Sequence, residues 1–397
     1  MRRLDLRKAQ AARPNTIRDI NRQIVLNYVR EREPISRAEI ARETNLQKST
    51  ISTIVDELEM DGLIEEFGEG ESTGGRRPAL LRLRTAGAIG IGVAITPTIT
   101  TIASSDLAGR VLSQEDFATT ADVEQELTLV VDSVNNHLRG TNGSIESIGV
   151  SLPGLVDPET GRAIYVPYFQ WRDMPVADVI TSRTGLPVVV DNDANSAALA
   201  ELWFGRPEVS DARDFILVMV AEGVGTGIVF DGQIYRGKRG AAGEFGHMIV
   251  GRHAPVPCSC GNRDCWEAFS SERATIARYK KLCSLHDDEA PTFNQLIDRA
   301  LGGEENAKSA IVDTALCLGV GIANLIVGFS PETVVVAGRI ARAWSLIESA
   351  LSESIEHSVR RGLPSVPILP STLGEQPALR GALSLVLAGK FAATIAA

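Results

Sequence analysis

Residues 187–205 read PVVVDNDANSAALAELWFG, and the division of this stretch decides the fold. Val188–Val190 predict a buried strand, Asp191–Asn195 a polar turn at its end, and the Ala-rich run that follows a helix. A strand that passes into a helix through a polar turn is a building unit of α/β layers, and ligand sites gather at such strand ends. Asn192 and Asp193 are therefore candidates for ligand contact. The bland alternative is a helix cap, which accounts for one polar residue rather than four.

Outward from this stretch, the chain from Ala88 repeats the same alternation. Residues 88–112 predict two strands turning at Asp106–Gly109. Residues 147–166 (SIGVSLPGLVDPETGRAIYV) predict a strand, a Pro-Gly loop and a second strand. Residues 215–237 predict a hairpin with a Gly-rich tip, and residues 316–340 a helix, a Pro turn and a strand. Mixed sheets with helices packed on them follow.

The first 84 residues differ. Ile17, Ile20, Ile24, Val25 and Tyr28 have helical spacing, and Pro34 breaks it. Ser36 and Glu39 form a capping box for a second helix, and Asn45 suits a left-handed turn. In a third helix Ile51, Ile54, Val55 and Leu58 share one face. Gln47, Lys48, Ser49, Thr50, Ser52 and Thr53 are its short, polar or basic amino-terminal residues. A hairpin follows, with Arg76 and Arg77 at its Gly-rich tip. Three helices and a hairpin predict a winged helix-turn-helix whose third helix enters the major groove of DNA. Winged helices also mediate protein contacts, and that alternative stands beside DNA binding.

Charge agrees with a nucleic-acid module. Residues 1–48 hold twelve Lys and Arg against six Asp and Glu, whereas residues 85–397 hold 24 against 36. A length of 397 residues predicts two or three domains. No apolar run looks long enough to cross a bilayer, and the basic N-terminus lacks a signal-peptide core, so a cytoplasmic protein without a membrane partner is expected.

Three of the five cysteines lie in GEFGHMIVGRHAPVPCSCGNRDCWEAFSS, residues 243–271. His247, Cys258, Cys260 and Cys265 offer four N and S ligands, the set for a closed, structural Zn²⁺ site. A cluster of reduced thiols is the alternative. A redox pair fits less well, because the spacing is not C-x-x-C. Glu244 and Glu267 flank this loop, and such a metal would hold them around a small ligand.

The segments STGGRRPALL, SLPGLVD, DNDANSAALAE, AAGEFGH, CSCGNRDCWE and GIANLIVGFSPETVVVAGR follow one another from residue 72 to about 339. In that order they resemble the transcriptional regulators of the ROK family, which join a winged helix-turn-helix to a sugar-kinase-like body. The resemblance implies a DNA-binding domain over residues 1–84. It implies a two-lobed, actin-like (ribonuclease H-like) α/β body over residues 85–397, with a zinc loop at 247–265. It implies sugar contact by Asn192, Asp193, Glu244, His247 and Glu267, with Gly154 letting the backbone approach. The expected partners are operator DNA, a sugar or sugar phosphate, and further copies of the chain as a homodimer or tetramer.

The same resemblance raises an alternative, an ATP-dependent sugar kinase with an appended DNA-binding domain. Kinases of the family carry D-x-G-G-T where this chain has Ala94-Ile95-Thr96-Pro97-Thr98. Proline removes an N–H donor and β-branched residues hinder a phosphate, so no enzyme is expected. Tyr168 and Phe169 replace an Asn-Leu pair that precedes a tryptophan in the family, which leaves the identity of the sugar open. The expected function is a sugar-responsive repressor of carbohydrate genes.

Overall fold

The computed structural model describes residues 14–70, 77–85, 89–140, 145–286, 289–359 and 362–391. The N-terminal unit has helices Pro14–Arg32, Arg37–Thr44 and Lys48–Met60 and a sheet ordered Ile35–Ser36, Ala79–Leu83, Ile64–Glu69. Ser36 and Glu39 make the reciprocal capping box, and Asn45 ends the second helix at φ 58°. Ile51, Ile54, Val55 and Leu58 are buried against Val25, Leu26, Val29, Leu81 and Leu83. Ile17 was expected in this core and is 50% exposed, because the first helix runs past the bundle and only its C-terminal half packs.

The body is built on two five-stranded sheets of the same topology, with a small antiparallel sheet of Leu155–Asp157, Arg162–Val166 and Trp171–Met174 beside the first. In the first, the order is Val111–Ala118, Ile99–Ser105, Gly90–Ile95, Ser147–Leu152, Val188–Asn192. In the second it is Gln233–Ile234, Val224–Phe230, Phe215–Val220, Thr333–Ala337, Ile368–Pro370. Each is a three-strand antiparallel meander extended by two parallel strands. This repetition is the two-lobed, actin-like architecture. The single hairpin expected in residues 88–112 is instead part of a meander with an additional turn. There the Thr96 hydroxyl accepts the N–H groups of Thr98 and Ile99.

Two helices position the site. Asp193–Phe204 leaves the last parallel strand of the first sheet and packs on the second, where Gly227 lies so close that a Cβ would stand 2.4 Å from the Ala194 carbonyl. The C-terminal helix Pro377–Phe391 crosses both the first sheet and Asp193–Phe204. Gly149 meets the Ala382 carbonyl and Gly381 meets the Ser196 backbone without room for a side chain.

Glu305–Phe329 corrects one expectation, since by length and composition it is apolar enough to cross a membrane. It is the central helix of the second lobe's core, with Gly321 flat against the Trp266 ring.

Candidate functional site

A cleft between the lobes collects all six residues expected at the sugar site: Gly154, Asn192, Asp193, Glu244, His247 and Glu267. Gly154, Asn192 and Asp193 lie at strand ends of the first lobe, Glu244 and His247 in the turn Glu244–His247 after the second meander, and Glu267 in the short helix Trp266–Ser270. Asn192 is also the helix cap. Its Oδ1 accepts from the N–H groups of Ala194 and Asn195, and its Nδ2 donates to the Gly154 carbonyl at 3.0 Å. One amide hydrogen therefore remains for a ligand. Gly154 sits at φ 87°, and a Cβ there would stand 2.4 Å from the Tyr165 carbonyl, so the fold itself requires this glycine. Asp191, the first acid of the motif, is structural: it is buried and paired with Arg236 at 2.7 Å.

The cleft is acidic. Desolvation, with Glu244 and Glu222 adding like charge, pushes the Asp193 carboxyl up to about 6. Desolvation also raises Glu244; Glu267 adds to the shift, and His247 opposes it. Glu267 is 4% exposed, and its Oε1 accepts the Ser259 N–H at 2.9 Å and the Ser259 hydroxyl at 2.8 Å. Ser259 lies between two of the clustered cysteines, and only its place in CSC hinted at this role.

The ligand atoms of His247, Cys258, Cys260 and Cys265 all lie within 4.8 Å of one another. His247 Nδ1 is 3.3 Å from Cys258 Sγ, Cys258 and Cys260 sulfurs are 3.3 Å apart, and Cys260 and Cys265 sulfurs 3.9 Å. Such separations are close to the edges of a tetrahedron around an ion with bonds of about 2.0–2.3 Å, so the four residues fit a divalent metal. His247 Nε2 points the other way, 3.5 Å from Glu244 Oε2. A metal on Nδ1 would therefore fix the imidazole that faces the cleft.

The neighbouring cavity, beyond Asp193, is bordered by the loop at Ala94–Thr98. This loop directs its N–H groups inward. Thr96 N–H donates to the Ile99 carbonyl, Thr98 and Ile99 N–H donate to Thr96 Oγ1, and Pro97 has none. Across the cleft, Thr98 Oγ1 donates to Glu222 Oε1 at 3.2 Å. Arg339 is held by Glu272 and lies 3.8 Å from Glu222. Burial, opposed by Arg339, pushes Glu272 up to about 7. The Ala94–Thr98 loop therefore offers a phosphate chain no backbone cradle, and Arg339, the basic residue among the described residues lining this cavity, is already engaged by Glu272.

On the winged helix, Gln47, Lys48, Ser49 and Thr53 are exposed, while Thr50 and Ser52 are half-buried. Gln47 caps the third helix by backbone alone. The acidic side chains lie at the other end of the helix, where Arg18 pairs with Glu57 and Arg37 with Asp56 and Glu59. In the wing, Glu65 pairs with Arg82, and Arg77 stays exposed, 3.8 Å from Glu69. Arg76 lies outside the described residues.

One connection was not visible in the sequence. Arg30 of the first helix stacks 4.4 Å over the Trp203 ring and 5.2 Å over Phe391. Asn27 Nδ2 donates to the Phe391 carbonyl at 2.9 Å. Trp203 stands near the end of the helix that begins at Asp193. A single helix thus has its first turn in the cleft and its last turn against the winged helix.

Comparison with known proteins is consistent with these two halves. The family model for the ROK family matches residues 90–388, and that for the MarR family matches residues 24–77. The xylose repressor of Caldicellulosiruptor bescii is 32% identical over 387 residues, 94% of this chain and 96% of that protein. A crystal structure of a ROK family transcriptional regulator, a homologue of the Escherichia coli MLC protein, superposes with a TM-score of 0.77 at 26% identity. It covers 95% of this chain and 97% of its own. The ROK family glucokinase of Streptomyces griseus, solved with glucose and AMPPNP, gives a TM-score of 0.69 at 28% identity. It covers 98% of that chain and 75% of this one.

Proposed function

The chain belongs to the ROK family, and on that premise we propose that it is a sugar-responsive transcriptional repressor of carbohydrate genes. The observation that carries the reading is the helix Asp193–Phe204. Its cap and first residue line the cleft, and its Trp203 forms the seat of the winged helix. A sugar drawing Glu244 and Glu267 toward Asn192 and Asp193 moves the second lobe, and this helix packs on both lobes. The tilt reaches Arg30 and changes how the third helix is presented to DNA. A coupling of about 1–3 kcal/mol is enough to alter operator occupancy severalfold.

In this reading Lys48, Ser49 and Thr53, with Gln47, Thr50 and Ser52 beside them, contact base edges and phosphates in the major groove, Lys48 a phosphate. Arg76 and Arg77 contact the phosphate backbone. Two copies acting as a homodimer, or paired further into a tetramer, set the spacing of a palindromic operator in the cytoplasm. Zn²⁺ is the ion best matched to one imidazole and three thiolates. Its role is structural: it anchors the loop whose Ser259 aligns Glu267, and it fixes the His247 ring. A kinase is disfavoured by the self-satisfied Ala94–Thr98 loop and by the carboxylates Glu222 and Glu272 beside it.

The test is operator binding by the full chain, on DNA flanking its own gene, with and without a panel of pentoses, hexoses and amino sugars. One sugar is expected to release the wild type, while Glu244→Gln keeps DNA affinity and loses the release. Steady ATP turnover with any of these sugars overturns the reading.

A further inference from the structure

The cleft is rich in acceptors and poor in donors. Asp193, Glu222, Glu244 and Glu267 line it, and among the described residues lining it there is neither lysine nor arginine. A sugar hydroxyl donates one hydrogen bond and also accepts, so such a cleft needs a donor that its own fold has not already engaged. Asn192 has given one amide hydrogen to Gly154, and the Ser259 hydroxyl is committed to Glu267.

Beside the second amide hydrogen of Asn192 and the His247 imidazole, Tyr168 is a further candidate. Its ring lines the cleft from the first lobe, with the Arg273 guanidinium 6.0 Å from the ring centroid. Its hydroxyl is shut off from solvent and completes no hydrogen bond. Ser259 lies near it but outside hydrogen-bonding geometry, and it gives its own proton to Glu267 Oε1. Around Gly223 the phenol and the second carboxylate oxygen of Glu267 converge. A Cβ on Gly223 would stand 2.8 Å from Tyr168 Oη and 2.6 Å from Glu267 Oε2. A donor and an acceptor thus face the same space, and a glycine keeps that space open. An orphaned buried hydroxyl is costly unless something completes it.

We propose that Tyr168 is a ligand-contacting and specificity-determining residue: its hydroxyl donates to an oxygen of an unphosphorylated sugar whose neighbouring hydroxyl donates to Glu267. This rests on the repressor reading above and narrows its effector. The four carboxylates outnumber the two guanidinium groups beside them, Arg273 at 3.7 Å from Glu267 and Arg339 at 3.8 Å from Glu222, so the cleft repels a phosphate dianion and accepts from neutral hydroxyls. The aromatic ring also supplies an apolar wall for one face of the sugar.

The experiment is calorimetric titration of the full chain with D-xylose, D-glucose, N-acetyl-D-glucosamine and D-glucose 6-phosphate. Wild type is expected to bind one of the neutral sugars and not the phosphate. Tyr168→Phe is expected to weaken that sugar roughly five- to tenfold, the loss of one buried hydrogen bond, and to leave sugar-free operator affinity unchanged. Gly223→Ala, which crowds both groups, is expected to weaken it further. A deoxy analogue lacking the contacted hydroxyl should lose less affinity with Tyr168→Phe than with wild type, since both changes remove the same bond. Wild-type affinity for the neutral sugar in Tyr168→Phe overturns the proposal alone. Tighter binding of the phosphate than of every neutral sugar overturns the assigned ligand class. Failure of the wild type to bind any of the four overturns the sugar reading and this inference with it.

Discussion

Replacing Arg30 by methionine tests whether the winged helix reads the cleft through Trp203. The Arg30 side chain is 14% exposed, its charge lies over two aromatic rings, and its Nη1 is buried without a hydrogen-bond partner. Burial holds the guanidinium below its ordinary range, opposed by Glu31. Two opposing quantities therefore leave together. Stacking of a desolvated cation on aromatic rings is worth about 2 kcal/mol. Burying that cation costs a comparable amount, and an apolar side chain of similar length does not bear that cost. The melting temperature should consequently move little. The orientation that the stacked plane imposes is lost, and with it about 1–2 kcal/mol of coupling, which is roughly 5- to 30-fold. Fluorescence anisotropy with a labelled operator duplex gives the affinity ratio between sugar-free and sugar-saturated protein. Arg30→Met should collapse that ratio by this factor while calorimetry shows unchanged sugar affinity. A full ratio in the variant would refute the route through Trp203.

Three further perturbations separate the parts. Glu201 is fully buried on the same helix, and burial, relieved in part by Ser371 and Arg206, pushes it up to about 6 from an ordinary 4.5. A raised carboxyl stabilises the fold below pH 4.5 and loses that contribution as pH rises through 6, a difference of about 2 kcal/mol. Glu201→Gln should therefore melt above wild type at pH 8 and close to it at pH 5; an equal gap at both would contradict the assignment. Cys258→Ser, or chelation of the wild type, should remove one zinc per chain by elemental analysis. It should weaken sugar binding through Glu267 and leave sugar-free operator affinity intact; undiminished sugar affinity without metal would detach the ion from the cleft. Lys48→Ala should lower operator affinity and reduce the salt slope by about one, with calorimetric sugar affinity unchanged. An unaltered slope would remove Lys48 from the phosphate contacts.

Local patterns were legible where the physics is local. The capping box at Ser36 and Glu39, the buried face of Lys48–Met60 and the His247–Cys265 spacing each follow from residues a few positions apart. Both meanings of DNDAN proved compatible, because Asn192 caps the helix and still faces the cleft. Features that depend on distant partners were not legible. Arg30 sits in a basic helix and reads as a solvated or DNA-facing charge until Trp203 and Phe391 are brought over it. Tyr168 was visible only as a departure from a pattern; its orphaned hydroxyl appears once Ser259 and Glu267 have paired. Glu305–Phe329 shows the limit of composition, since burial in a lobe core and burial in lipid select the same side chains.

The differences between the two halves of the interlobe space follow from what each ligand demands. A sugar needs fixed acceptors and a few donors, and the metal-ligand loop, the Asn192 cap and the strand ends hold them without a nucleotide. A triphosphate needs N–H groups aimed outward and unpaired cations. Thr96 has turned those N–H groups back into the loop, Glu222 bridges to Thr98 across the gap, and Glu272 occupies Arg339. The bridge has a consequence for sensing. It joins the lobes on the side away from the cysteine loop, so on the proposed reading a sugar would close the lobes around a contact already made rather than waiting for a second ligand. On that reading the response would be set by sugar concentration alone, which is what a repressor of sugar genes requires and what a two-substrate enzyme does not provide.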